Sequence, residues 1–471
     1  MRLLGCLLLI MTAEKVLATS IDWSGGYRIE YNEVDRPTLG SDEKKSRKAY
    51  GLNYLYLNPK IVASDGINIV GRFDIFSNEI SSYKNSQLGS LIGGGLHRGG
   101  ASANGVNVDS QTQDASIMRV SQLYLTVNQE NAVFIAGRAP IDFGLGITHN
   151  AGLNPFDHWY DTRDMVAYRF IIDNISFMPL LAKVSQEDFG QGQTTVDQSL
   201  VFQYDNKDNG AKAGLFYQIR SSSFGSNDSA PYIPAIPGAA SVSSSWSTKT
   251  VNLFFGRSWE AFQFKLEASF LTGDTGIVST ANESIKFNAY AIAAEMLMPA
   301  TEQSKWEFGA KFGTASGDNP TTTGTIEGYQ MDKNYDVAML MFNHRMGQAD
   351  FLTTNILHRD PTLSVGNSAD DEAIGNTIYI APSAKYQWND KLDLKTTLIY
   401  AQLATKPTIS LDTSKDLGTE LDIELIYKPR ERVIWSNEFG LLLPGAAWKD
   451  GASGFDNKTN YGFTTKAAIT F

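Results

Sequence analysis

Acidic and basic side chains recur in this chain at positions suited to steering a solute. Glu420, Asp422 and Glu424 occupy alternate positions of an apolar run, as do Lys265 with Glu267, Glu307 with Lys311, and Arg28 with Glu30. Alternate residues of an extended strand share one face, so each set would be presented together. The same parity in other runs adds Arg72, Arg138, Arg169, Lys395, Glu438 and Lys466. Fixed charges on the wall of a water-filled tube orient and sort polar solutes without making or breaking bonds.

Bond-making constellations are weaker. The histidines are His97, His149, His158, His344 and His358, all in long connections between strand-like runs. Asp157-His158 with Asp161 and Asp164 could be arranged as a hydrolytic site, but a loop folded by salt bridges and hydrogen bonds explains them equally well. No Ser/His pairing stands out, and no zinc-ligand spacing is present. Asp370, Asp371 and Glu372 could hold Ca²⁺, although solvated carboxylates explain them too. Gly93-Gly94-Gly95 lacks the Lys-Ser/Thr of a phosphate loop and reads as a loop tip. The sequence implies no cofactor and no catalytic residue. A net charge of −11 opposes nucleic-acid binding.

The elements that would carry the charges are strands. Only 19% of residues are charged, while Tyr, Thr, Ser, Asn, Phe and Gly recur throughout, the composition of many short strands and turns. Phe262, Phe264, Leu266, Ala268 and Phe270 alternate with polar residues, as do Leu417, Thr419, Leu421, Ile423, Leu425 and Tyr427. Eighteen such runs can be placed, the first near residue 21 and the last near 461. Every second connection is short and rich in turn formers, for example Ser64-Asp65-Gly66, Asp173-Asn174 and Asn389-Asp390-Lys391. The others are long, including Ser77 to Ala115, Thr272 to Ser284 and Thr314 to Gly375. Short periplasmic turns alternating with long outer loops are what an outer-membrane barrel needs. Trp23, Trp259, Trp306, Trp388 and Trp435 lie near the barrel start or the short turns, where a periplasmic aromatic girdle belongs. The expected fold is an all-β, transmembrane, antiparallel up-and-down barrel of about 18 strands, with 16 as the alternative.

Both chain ends agree with that expectation. Arg2, the apolar stretch Leu3 to Ala13 and Val16-Leu17-Ala18 form a secretory signal, predicted to span 1–18. Its cleavage would remove Cys6, leaving a chain with no need of disulfides in an oxidising compartment. Residues 19–471 then form one barrel domain, exported through the periplasm into the outer membrane. No later stretch is long and apolar enough to be a spanning helix. Tyr461, Phe463, Thr465, Ala467, Ile469 and Phe471 form one apolar parity ending on the last residue. This is similar to the terminal-phenylalanine signal recognised by the barrel-assembly machinery, which makes that machinery an expected partner through Phe471.

Two regions resemble the alginate-export-type family of outer-membrane channels. The first is Asp416-Leu417-Gly418-Thr419-Glu420-Leu421-Asp422, followed by Tyr427, Gly440 and Pro444-Gly445. The second is Gly137-Arg138 with Gly144-Leu145-Gly146. The resemblance covers about a quarter of the chain and implies an 18-stranded pore passing polysaccharides or small solutes. The alginate exporters have a strongly basic lumen, whereas the inward parity here is mixed in sign.

The sequence therefore predicts a porin-like channel for small hydrophilic solutes or saccharides, in contact with outer-membrane lipid and lipopolysaccharide. A polysaccharide-export channel and a closed barrel with a binding or structural role are the alternatives, and a homotrimer is an open possibility. Two finer expectations concern the lumen. Val337, Met339, Leu340, Met341 and Phe342 carry too much apolar surface to leave in water, so the longest loop should fold inward and narrow the pore. Arg28, Arg72, Arg138 and Arg169 should face Glu420, Asp422, Glu424 and Glu438 across the water and set up a transverse field. Pairing of these charges with near neighbours such as Lys265, Lys311 and Lys466 is the competing arrangement.

Overall fold

The computed structural model describes residues 20–36, 39, 47–75, 118–186, 194–222, 239–242, 245–279, 283–301, 304–319, 321–322, 324–344, 373–406, 414–449 and 458–471. The segment 1–18 expected to be a signal, Gly93 to Gly95, His97, His358 and Asp370 to Glu372 lie outside them.

Eighteen strands form the wall: β1 (Ser20–Val34), β2 (Lys48–Ser64), β3 (Ile67–Ile75), β4 (Met118–Gln129), β5 (Ala132–Pro140), β6 (Thr162–Ile172), β7 (Ile175–Gln186), β8 (Thr194–Asn206), β9 (Ala211–Ser222), β10 (Trp246–Ser258), β11 (Gln263–Ser279), β12 (Ser284–Met298), β13 (Trp306–Ala315), β14 (Thr377–Asn389), β15 (Leu392–Leu403), β16 (Asp416–Arg430), β17 (Val433–Pro444) and β18 (Asn460–Thr470). Each pairs antiparallel with the next, and β18 returns to β1 in a register running from Gly26↔Thr470 to Val34↔Gly462. A closed ring leaves no free edge and satisfies the backbone internally. Phe471 completes the seam: Gly25 N donates to Phe471 O at 2.9 Å and Phe471 N donates to Gly25 O at 3.0 Å.

Alternation sorts the side chains as the sequence implies. Tyr27, Phe255, Phe270, Ile380, Tyr400, Ile423, Phe439 and Phe463 are exposed on the outer face. Trp23, Trp259, Trp306, Trp388 and Trp435 are exposed at the short-turn end. So large an apolar surface is untenable in water and fits a hydrocarbon belt with an aromatic girdle.

Two details differ from the sequence reading. The connection expected from Thr272 to Ser284 is mostly strand, because β11 extends to Ser279 and β12 starts at Ser284. Two short strands were also not foreseen. Ala239–Val242 pairs with the β11 extension, and Thr325–Ile326 lies parallel to Lys286 and Phe287 of β12. Both are too short to carry a period-two signal.

Candidate functional site

Eighteen strands enclose a lumen wide enough for water, but among the described residues the stretches 141–161 and 317–344 fold into it, and Leu39, Ala447 and Trp448 of two other connections are buried in the same core. The first, residues 141–161, joins β5 to β6. Ile141 and Phe143 bury themselves against Met165, Ala167, Leu180 and Phe216 of the inner wall. The segment then closes on itself, Ile141 N donating to Asp161 O at 3.1 Å and Asp161 N to Asn150 O at 2.7 Å. Its tip lies over β1, where Arg28 donates to Pro155 O at 3.0 Å and Asp157 O at 2.7 Å. His158 Nε2 sits 3.0 Å from both Glu30 oxygens. Asp161 faces Arg163, and Asp164 lies on another strand face altogether. The carboxylates around His158 therefore diverge and hold the loop.

The second segment, residues 317–344, follows β13. Leu340, Met341 and Phe342 are fully buried beside Ala291, Ala293, Ala381, Ile399, Ala401 and Leu442, all on the inner face. The inward folding expected from its apolar residues is what the structure shows. Small wall residues make the room. A Cβ on Gly440 would stand 2.9 Å from Met339 Sδ and 2.9 Å from Asp422 Oδ1, so this position tolerates only glycine without displacement.

Wall carboxylates hold both segments. Glu420 accepts the N–H groups of Leu340 at 2.6 Å and Met341 at 2.9 Å, and Asp422 accepts that of Met339 at 3.0 Å. Glu267 accepts the N–H groups of Leu145 at 2.6 Å and Ile147 at 3.4 Å, and the Thr148 hydroxyl at 3.2 Å. Gly144, at φ 65°, lets the Glu267 carboxylate approach to where a Cβ would be 2.5 Å away.

The segments separate the lumen into chambers. Toward the long-connection end lies a cavity of about 200 Å³ bordered by His149, Arg163, Gln218, Arg220 and Thr248. Arg220 binds the buried Asp197 through Nε at 2.7 Å and Nη2 at 2.9 Å, and Arg163 Nε lies 3.3 Å from the same carboxylate. One carboxylate thus orients two guanidinium groups at the chamber edge. His149 stacks on Phe216 at 4.4 Å, and burial pushes its pKa down to about 4. Toward the short-turn end lie cavities of about 450 and 670 Å³. The larger holds Arg169 and Lys265; the smaller holds Lys311, Lys395, Glu424, Glu438 and Lys466.

The charges proposed to oppose one another across the lumen are mostly paired where they stand. Arg28 meets Glu30 at 2.5 Å, and Arg72 meets Asp74 at 3.0 Å between the rings of Tyr56 and Tyr160. Glu307 meets Lys385 at 2.7 Å, Lys311 meets Glu295 at 3.3 Å, Lys395 meets Glu424 at 3.5 Å, and Lys466 meets Glu438 at 3.7 Å. Local ion pairs take up most of these charges, while Glu420 and Asp422 are satisfied instead by the N–H groups of Met339, Leu340 and Met341.

Arg138 requires a correction. The cross-strand row Leu123↔Arg138↔Asp164↔Lys183 shares the parity of Val166 and Leu181, which are exposed on the outer face. Arg138 therefore lies outside the lumen, bound to Asp164 at 2.6 and 2.8 Å. A charge near a strand's outer end can sit at a headgroup boundary, so polarity alone misassigned its face. Glu267, Glu420 and Asp422 point inward as expected, but they are buried under the segments and do not line open water. Arg163, Asp197 and Arg220 were not singled out from sequence. Their shared inward parity at neighbouring strand ends was the available signal.

No family model matches the chain, and no curated protein matches its sequence. By structure it is similar to OccK9 (OpdG) of Pseudomonas aeruginosa, with a TM-score of 0.52 and 11% identity over 96% of this chain and 99% of that one. It is also similar to a BenF-like porin from Pseudomonas fluorescens Pf-5, with a TM-score of 0.51 and 8% identity over 96% and 99% of the two chains. OccK2 (OpdF) of Pseudomonas aeruginosa in complex with glucuronate gives a TM-score of 0.50 and 8% identity over the same shares. At these identities the likeness is one of fold, and the fold is that of porins.

Proposed function

We propose that the protein is an outer-membrane channel for small hydrophilic solutes, inserted after removal of residues 1–18. The observation that carries this reading is the contrast between the two faces of one wall. An apolar, aromatic-edged belt faces outward, while the interior holds charged chambers of about 200, 450 and 670 Å³ divided by a constriction. A barrel serving only as a scaffold has no need of chambers on both sides of an inward-folded constriction.

Acidic solutes are the favoured subset. Arg163 and Arg220, held by Asp161 and Asp197, border the chamber at the long-connection end, the outward-facing end of such barrels, with Asp332 as the acidic group beside them. Arginine suits carboxylates because its planar fork matches them. OccK2, of the same fold, is known in complex with glucuronate. The family resemblance leaves polysaccharide export as an alternative. However, Glu420, Asp422, Gly440 and Gly144 have local work in holding the inward segments, and that work is independent of cargo.

The decisive measurement is single-channel conductance of the purified chain in a planar bilayer, with reversal potentials in gluconate, glucuronate and chloride salts. Conductance with measurable glucuronate current supports the reading. A correctly assembled barrel that carries no current would end it.

A further inference from the structure

Glu267 and Glu420 stand on the inner face of the wall, yet both are fully buried. Each carboxylate ends in a tight turn of consecutive backbone N–H groups, a concavity that binds anions. Both oxygens of each carboxyl group accept from the segment, so each glutamate grips it at two points. In both cases the donors belong to an inward segment and the acceptor to a wall strand: 145–148 on β11, and 340–341 on β16. The two segments also hold each other. Trp159 N donates to Asn334 Oδ1 at 3.1 Å, Asn334 Nδ2 donates to Trp159 O at 2.7 Å, and Asp332 N donates to Ile147 O at 2.8 Å. Lys333 Nζ lies 4.1 Å from the centre of the Trp159 ring.

We infer that Glu267 and Glu420 are positioning residues of the constriction, and that the Trp159–Asn334 clasp joins its two segments into one gate. The inference rests on the channel reading above. Neither carboxylate touches the solute; each sets how far a segment stands from the wall. Because the segments bind each other as well as the wall, release of one favours release of the other.

Glutamine keeps the volume of glutamate but turns an NH₂ group toward N–H donors, so one of the two gripping oxygens is lost. In planar bilayers, Glu420→Gln and Glu267→Gln should each raise mean conductance roughly twofold and add fast current noise, as a loosened segment leaves the pore axis. The reversal potential should keep its wild-type value, because neither group faces the water path. Asn334→Ala should split closure into two separate current steps where the wild type shows one. A shifted reversal potential without added noise would make the carboxylates lining groups and overturn the inference. Wild-type conductance, noise and step number in all three variants would overturn it too. A chain lacking residues 327–359 separates the two failures. If it assembles and is silent, the channel reading fails; if it conducts while the point variants match wild type, the positioning role alone fails. Heat-modifiable gel mobility reports assembly, and should a glutamate variant not assemble, Asn334→Ala carries the test.

Discussion

At the scale of single residues, charge matters here through its nearest partner. Arg138 and Asp164 form an exposed pair on the outer face, and such pairs contribute little to stability, on the order of 0.5 kcal/mol. Arg138→Ala should therefore leave ion selectivity unchanged, as read by the reversal potential in a salt gradient. His149 gives a second test. Its folded pKa of about 4 lies below the ordinary histidine value because burial disfavours the imidazolium. Arg163 and Arg220 act in the same direction as burial, and Asp161 and Asp197 act against it. A depressed folded pKa stabilises the packed segment above about pH 6.5, and that stabilisation is lost as the pH falls through about 4. The full loss is on the order of 3 kcal/mol. Protease protection of residues 141–161 should fall across that window in the wild type and fall less in His149→Gln. Equal pH profiles for the two proteins would refute the role given to His149.

At the scale of elements, the seam between β1 and β18 and the fit of the second segment are the informative places. Phe471 adds two backbone hydrogen bonds across the seam, and its ring lies on Gly25. Deleting Phe471 should lower the amount of heat-modifiable protein in the outer membrane and leave unassembled chain in the periplasm. Normal levels would show that the seam closes without it. Gly440→Leu would place a side chain where Asp422 and Met339 already stand. Overpacking of this kind costs roughly 1–3 kcal/mol. The segment can relieve it by moving off the wall, so the variant should assemble and conduct more than the wild type. Phe439, one position away, faces outward, and Phe439→Leu should leave conductance unchanged.

At the scale of the whole molecule, the wall and its contents are separable. The wall closes through its own strand pairs, β1 through β18. Excising residues 327–359 should therefore yield an assembled barrel with higher conductance, measured on single channels after the gel-mobility check. Unchanged conductance in an assembled barrel would show that the second segment does not limit the path.

The sequence by itself determined the wall. Period-two alternation, the spacing of turn formers, the tryptophans near short turns and the terminal phenylalanine all report local geometry, and each strand carries its own copy of the signal. The inward direction of Arg28, Arg72, Arg169, Glu420 and Lys466 was legible for the same reason, since parity is a property of one strand. The apolar run Val337 to Phe342 likewise betrayed its need for a buried place. The tertiary structure decided which groups meet. Leu340 and Glu420 are 80 residues apart, Ile147 and Glu267 are 120 apart, and Trp159 and Asn334 are 175 apart. No periodicity encodes such pairings, because they depend on where a folded connection comes to rest inside a closed ring. Arg138 shows the complementary limit. Its polarity suggested the lumen, but it shares the outward row of Leu123, Asp164 and Lys183; β5 is apolar on both parities, Val133 and Ile135 against Phe134 and Ala136, so only its neighbours tell its two faces apart.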